Sequence, residues 1–316
     1  MIRIRLAPDN INFSFMRFRR FSYPFSALLA IVAVSVFLLV GPNYGIDFAG
    51  GTLMEVRAKQ GTADLTELRG LGPKFGLGEI EVQAFGGDGR DVALRIPLQP
   101  GGDEAQQDVV RKVQTAMQDD YELRRTEVVG PRISNELVQA GTIGVVLSIL
   151  AVLTYLWFRF EWQFAVAAVI ATMHDLLMTI GFFSITQLEF NITSIAAVLT
   201  IIGVSLNETV VVLDRIREMM RKYRRMPIDE LIDVSINAVL ARTIMTTSTT
   251  LLALTALSIF GGHIIQSFSY AMMFGIIAGV YSSIFICSPI LIYLGVRQEY
   301  AEADETEPVA AESSKA

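Results

Sequence analysis

Long stretches of this chain carry almost no charge, and nothing else in it constrains the fold so tightly. Residues 25–40 contain no Asp, Glu, Lys or Arg. Runs of similar character follow at 138–158, 163–185, 190–213, 238–260 and 266–295, three of them with a single charged residue inside. Backbone polar groups in hydrocarbon must bond one another, so such runs cross a membrane as helices, each needing about 20 residues. The pattern therefore predicts six membrane-spanning helices, the first starting near Tyr23 and the last long enough to tilt or to extend past the bilayer. The chain as a whole is 52% hydrophobic and 18% charged, against about 25% charged residues in a soluble domain.

The basic residues set the expected orientation. Arg3, Arg5, Arg17, Arg19 and Arg20 precede the first span. Arg159 lies between spans two and three, Arg215, Arg217, Arg221, Lys222, Arg224 and Arg225 follow span four, and Arg297 follows span six. With six spans all of these fall on one side, while the loops at 186–189 and 261–265 hold no Lys or Arg. The positive-inside rule makes that side cytoplasmic and puts both termini there. A signal peptide is the alternative for residues 25–40, but "GPNYGIDF" follows in place of a small-residue cleavage pattern. The net charge of −6 implies no nucleic-acid partner. The acidic tail 297–316 has no periodic apolar pattern and reads as disordered. Cys287 is the single cysteine, so no disulfide forms within the chain.

Five segments result: a cytoplasmic N-terminus at 1–22, a first span at 23–41, an extracytoplasmic α+β domain at 42–137, a five-helix bundle at 138–296 with a basic loop at 214–237, and the cytoplasmic tail. Within the domain, "TLMEVRA", "EIEVQAF", "DVALRIP" and "YELRRTEVV" read as strands, and 62–75 and "DEAQQDVVRKVQTAMQ" as helices. The order β-α-β-β-α-β is the ferredoxin-like pattern. The fold class is thus a polytopic α-helical membrane protein with a ferredoxin-like domain inserted between helices one and two.

The costly residues are the polar ones inside the spans. A carboxylate in hydrocarbon costs about 2.5 kcal/mol or more, yet Asn207 and Glu208 stand before "TVVVL" in span four. Arg242 lies about as far inside span five, which runs antiparallel to span four, so a Glu208–Arg242 pair is geometrically open. Snorkelling of Arg242 to the interface is the plainer alternative. Thr246, Thr249 and Thr250 follow Arg242 on roughly one face, as a polar seam or as simple small-residue helix packing. His174 and Asp175 fall near the middle of span three. Together His174, Asp175, Asn207, Glu208 and Arg242 are the candidate proton-coupling set, since burial raises a carboxylate's pKa and a nearby cation lowers it. "GIIAG" at 275–279 offers a small-xxx-small surface for close contact with a partner helix. Neither a nucleophile elbow nor a P-loop occurs, and no cofactor, metal or enzymatic activity is expected.

"YGIDFAGGTLMEV" (44–56), "VGPRISNEL" (129–137), "MHDLL" (173–177), "IGVSLNETVVVLDRIRE" (202–218) and "RTIMTTSTTLLALTALSIFGG" (242–262) occur in one order along the chain. Together they resemble the SecF family of bacterial protein-export membrane subunits. The resemblance implies a bundle of the resistance-nodulation-division type in the inner membrane, completed by a SecD-like partner. It also implies proton-driven help to unfolded preproteins leaving the SecYEG channel, with a YajC-like small subunit and membrane lipids as neighbours. Glu208 stands where the family usually has Asp, and Val204 where it usually has Tyr. A self-sufficient proton-driven exporter of small molecules or lipids is the alternative reading, and this half-sized bundle would then have to form a symmetric dimer.

Overall fold

A computed structural model describes residues 12–86 and 88–296 of the chain. Arg3, Arg5 and the tail expected to be disordered at 297–316 lie outside the described residues. A 3₁₀ turn at Met16–Phe18 leads into α1 (Arg19–Leu39). Next come β1 (Asn43–Tyr44), α2 (Ile46–Ala49), β2 (Gly51–Ala58), α3 (Leu65–Phe75), β3 (Glu81–Phe85), β4 (Asp91–Ile96), α4 (Gly102–Met117) and β5 (Tyr121–Val129). The rest is α5 (Pro131–Arg159), α6 (Trp162–Thr186), β6 (Glu189–Phe190), α7 (Ile192–Lys222), α8 (Ile228–Phe260), α9 (Gly262–Ser282) and α10 (Ser288–Tyr293). Among the described residues six helical stretches are long and apolar enough to cross a membrane: Met16–Leu39, Pro131–Arg159, Trp162–Thr186, Ile192–Lys222, Ile228–Phe260 and Ile265–Tyr293.

The sheet domain follows from its alternation of apolar residues. Its four antiparallel strands lie in the order β3-β4-β2-β5. One face, with Met54, Val56, Leu94 and Ile96, packs on Leu68 and Leu71 of α3 and on Val109, Val113 and Met117 of α4. The other face sets Leu53 and Ala93 against Ile46 of α2. Asp64 caps α3 by accepting from the N–H groups of Thr66 and Glu67. The entry to β2 needs glycine: Gly51 has φ 122°, and a Cβ there would sit 2.4 Å from the Ile96 carbonyl oxygen.

The helices of the bundle differ in how deeply they are placed. α7 packs against α6, α8 and α9 and is the central element. α5 is peripheral, with only Ser134 and Leu156 buried and with Leu147, Trp157 and Phe158 exposed. Exposed apolar faces of this kind suit contact with lipid tails. Gly181 of α6 lets α1 approach closely, since a Cβ there would lie 2.4 Å from Ala33 Cβ. Between α9 and α10 the chain widens into a π turn at Ser283–Cys287, where the Ser288 N–H bonds the Ser283 carbonyl. Pro289 follows directly and has no N–H to continue the ordinary ladder.

Two expectations change. The stretch 214–237 is not a loop: α7 runs on to Lys222, α8 starts at Ile228, and only a short turn separates them. Charged residues ended the apolar pattern there without ending the helices, because Val212, Leu213, Ile216, Leu231 and Ile232 continue a shared apolar face. The glycines of "GIIAG" face inward, while Ile277 between them is exposed. Gly275 and Gly279 of α9 face Ile201 and Ser205 of α7, where added Cβ atoms would come within 2.5 Å and 3.0 Å of those side chains. The small-residue seam is therefore made with α7 of the same chain.

Candidate functional site

The middle of the bundle holds a buried carboxylate. Asp175 on α6 is 1% exposed. Its Oδ2 accepts from Ser205 Oγ of α7 and, at 2.8 Å, from Ser282 Oγ of α9. His174 Nδ1 lies 3.3 Å from Asp175 Oδ1, and His174 Nε2 is buried with no hydrogen-bond partner. The His174 ring neighbours that of Tyr281, whose hydroxyl shares a 2.8 Å hydrogen bond with Ser26 of α1. A buried carboxylate is tolerated where donors replace water, and here three helices supply them. Thr209 of α7 and Ser283 extend the polar layer with a 2.7 Å hydroxyl pair.

Beside this layer an open cleft of about 410 Å³ runs between α7, α8 and α9. Ser205, Asn207, Glu208, Thr246, Thr247, Thr250 and Gly279 line it, together with Gly203, Val204, Ile276 and Val280. Ser205 and Glu208 are three residues apart, on one face of α7. Ser205 therefore belongs to both places: it lines the cleft that holds Glu208 and it donates to Asp175. Glu208 is half-buried, and its Oε1 accepts from Thr243 Oγ1 of α8. Asn207 is exposed toward the opening.

The structure brings some of the expected residues together and separates others. His174 and Asp175 share a contact, and Glu208 opens on the same cleft as Asn207. The Glu208–Arg242 ion pair that the sequence leaves open is not formed in this structure. Glu208 meets Thr243, while Arg242 is exposed and makes no ion pair among the described residues. Neighbours on a helix point about 100° apart, so turning Thr243 into the α7–α8 contact turns Arg242 out of it. Both still sit at one depth: Glu208 lies 14 residues from the end of α7 (222 − 208), and Arg242 lies 14 from the start of α8 (242 − 228). The threonine seam also changes. Thr246 and Thr250 line the cleft with Thr247, whereas Thr249 is exposed and bonds only to carbonyls of its own helix.

Ser205, Ser282, Thr243 and Thr247 were not singled out in the sequence. Ser205 had a signal, its three-residue spacing from Glu208. Ser282 and Ser283 had a weaker one, a polar pair within an apolar run. At the basic end of the bundle, Arg159 bonds both Asp214 oxygens at 2.7 Å, and Arg217 meets Glu161 at 2.8 Å. These pairs hold α5 and α6 to α7.

The family model "Protein export membrane protein SecD/SecF, C-terminal" matches residues 109–297, and "SecD/SecF GG Motif" matches 36–62. The chain is 44% identical over 295 residues to the protein translocase subunit SecF of Rickettsia conorii, covering 91% of this chain and 94% of that one. It is 42% identical over 302 residues to the Rickettsia prowazekii protein of the same name, covering 93% and 95%. Among solved structures, a Thermus SecDF, titled a translocon-associated membrane protein, superposes with TM-score 0.79 at 35% identity. That match covers 91% of this chain but only 39% of the SecDF chain, so this chain spans well under half of it. A SecDF structure titled "Super-membrane-facing form" superposes with TM-score 0.68, also at 35% identity, covering 95% and 41%. A bundle of six apolar helices carrying an α+β domain, matched over most of its length by SecF sequences, belongs to the SecF family of protein translocase subunits and is a multi-pass membrane protein.

Proposed function

We propose that this chain uses the proton motive force to assist late steps of protein export, as one half of a complex with a SecD-like subunit. The observation that carries the reading is the cleft. A half-buried glutamate, an exposed asparagine and three threonines face an opening on the side of a six-helix unit. Such a polar face is expensive against lipid tails, and a second six-helix unit would cover it. The size relation supports this, since the SecDF chain is more than twice as long as the part this chain matches. The self-sufficient exporter has no such support, because the relatives are translocase subunits.

In this reading Glu208 takes up and releases the proton. Arg242 is its counter-charge in another state of the cycle, reached when α8 rotates enough to exchange Thr243 for Arg242. Asn207 lines the water path, with Thr246 and Thr250 beside it, and Thr249 faces the partner. Asp175 and His174 form the inner station, joined to the cleft through Ser205. Both termini and the basic end of the bundle are cytoplasmic, in a bacterial inner membrane. The ferredoxin-like domain, whose strand order supports that description, stands outside, where unfolded preproteins emerge from SecYEG. A YajC-like small subunit accompanies the assembly.

Preprotein release from membrane vesicles tests the reading. Glu208→Gln keeps the shape and the Thr243 hydrogen bond but removes titration. Vesicles carrying it should assemble the complex and lose the gradient-dependent part of release. Release at the normal rate with an intact gradient response rules out Glu208 as the coupling residue.

A further inference from the structure

The segment between α1 and β2 is bonded to the loop that starts α7. The Gly41 carbonyl accepts from Gln187 Nε2 at 2.9 Å, and β1 pairs in parallel with β6, Asn43 opposite Glu189 and Tyr44 opposite Phe190. The Gly45 N–H donates to the Phe190 carbonyl at 2.8 Å. At Gly45 the approach is so close that a Cβ would stand 2.7 Å from Glu189 Oε1. Asp47 Oδ2 then accepts at 2.9 Å from the N–H of Ile192, the first residue of α7. The first N–H groups of a helix have no partner within it, and a carboxylate there is also favoured by the helix dipole. The contact joins residues 145 positions apart in the chain.

A second tie comes from the sheet itself. Arg95 of β4 reaches Glu189 Oε1 at 2.8 Å, with the two side chains 15% and 13% exposed, and donates to Asn43 Oδ1 at 2.9 Å. On the far side of α2, Ser134 Oγ of α5 donates to the Phe48 carbonyl at 2.7 Å. From Asp47 the chain passes through Gly50 and Gly51 directly into β2, which pairs on both sides within the sheet. The same helix that Asp47 caps bears Glu208, 16 residues on (208 − 192). That is about 24 Å of helix at 1.5 Å per residue, and a helix is stiff over that length. Asn191 and Ser194 close a capping box at its start, so the end that meets Asp47 does not fray.

We infer that Asp47 is a positioning residue: its bond to the α7 N-terminus, backed by Arg95–Glu189, transmits movement of the Glu208-bearing helix into the sheet domain. The inference rests on Glu208 as the proton-coupling residue and adds the path by which its protonation moves the outer domain. Asp47 acts through Ile192 and touches neither proton nor client.

The test uses the complete complex with its SecD-like partner in vesicles. Spin labels are placed at Glu79→Cys on the domain and Arg221→Cys at the far end of α7. Label separation, proton uptake and preprotein release are measured with and without a gradient. The unsubstituted complex should change its label separation when the gradient is applied. Asp47→Leu should abolish that change and the gradient-dependent release while proton uptake persists. Asp47→Asn, whose amide oxygen still accepts from Ile192, should keep all three. The inference is overturned if Asp47→Leu releases preprotein normally, if its labels still follow the gradient, or if proton uptake falls together with release. Should Asp47→Leu not assemble, Glu189→Gln weakens the second tie and the same readings decide. A gradient response that survives Glu208→Gln but vanishes in Asp47→Leu overturns the Glu208 reading and leaves only the mechanical tie between α7 and the sheet domain.

Discussion

At Glu208 the side chain faces three environments at once: a hydroxyl donor on α8, an open polar cleft, and Ser205 one turn back on its own helix. Each step of that arrangement can be altered separately. Glu208→Asp restores the residue usual in the family but shortens the reach by a methylene, so it should retain export assistance with a partial loss; gradient-dependent release measures it. Arg242→Lys should be worse than Glu208→Asp in the same assay, because lysine lacks the planar fork that binds a carboxylate bidentately. Thr243→Val removes the donor that Glu208 uses in this structure, a hydrogen bond to a charged group contributing about 1.5–3 kcal/mol. Without it Glu208 loses its partner on α8, and gradient-dependent release should fall. Unchanged release would show that Thr243 does not position Glu208.

Among the elements, α7 does the most, and two glycines of α9 pack closely against it. Gly275 against Ile201 and Gly279 against Ser205 repeat at four-residue spacing on both helices. Gly279→Val would push into Ser205 and thereby disturb the hydrogen bond that Ser205 gives Asp175. Overpacking of this kind costs about 1–3 kcal/mol. The expected result is a complex with lower thermal stability and impaired proton uptake, whereas Gly144→Ala on peripheral α5, where a Cβ meets nothing within 4 Å, should change neither. Thermal unfolding in detergent, read alongside proton uptake in vesicles, makes the comparison.

A reporter active only outside the cytoplasm should work when fused within residues 86–89, which separate β3 from β4 in the sequence, and fail at Tyr223, between α7 and α8. Activity at Tyr223 contradicts the orientation. The open cleft predicts that gentle detergent recovers this chain with a SecD-like subunit and that crosslinks from Asn207→Cys reach that subunit. Recovery as a monomer alone, or as a homodimer, contradicts it.

The six apolar runs, the β-α-β-β-α-β order of the sheet domain and the polar residues at 174, 175, 207, 208 and 242 within the spans were legible in the chain alone. Each depends on local composition or spacing, and the bilayer and the pleat turn these directly into helices and strands. The helix ends at 222 and 228 were not legible, because apolar contacts under a charged surface continued them. Which polar groups meet was decided only by the tertiary structure. A shift of one residue on α8 separates an arginine partner from a threonine partner, and no local pattern sets the rotation of one helix against another. Asp175 finding Ser205 and Ser282, Gly275 facing Ile201 and Asp47 capping α7 are contacts between distant parts of the chain. They exist because close packing of the helices leaves each side chain few neighbours to choose from.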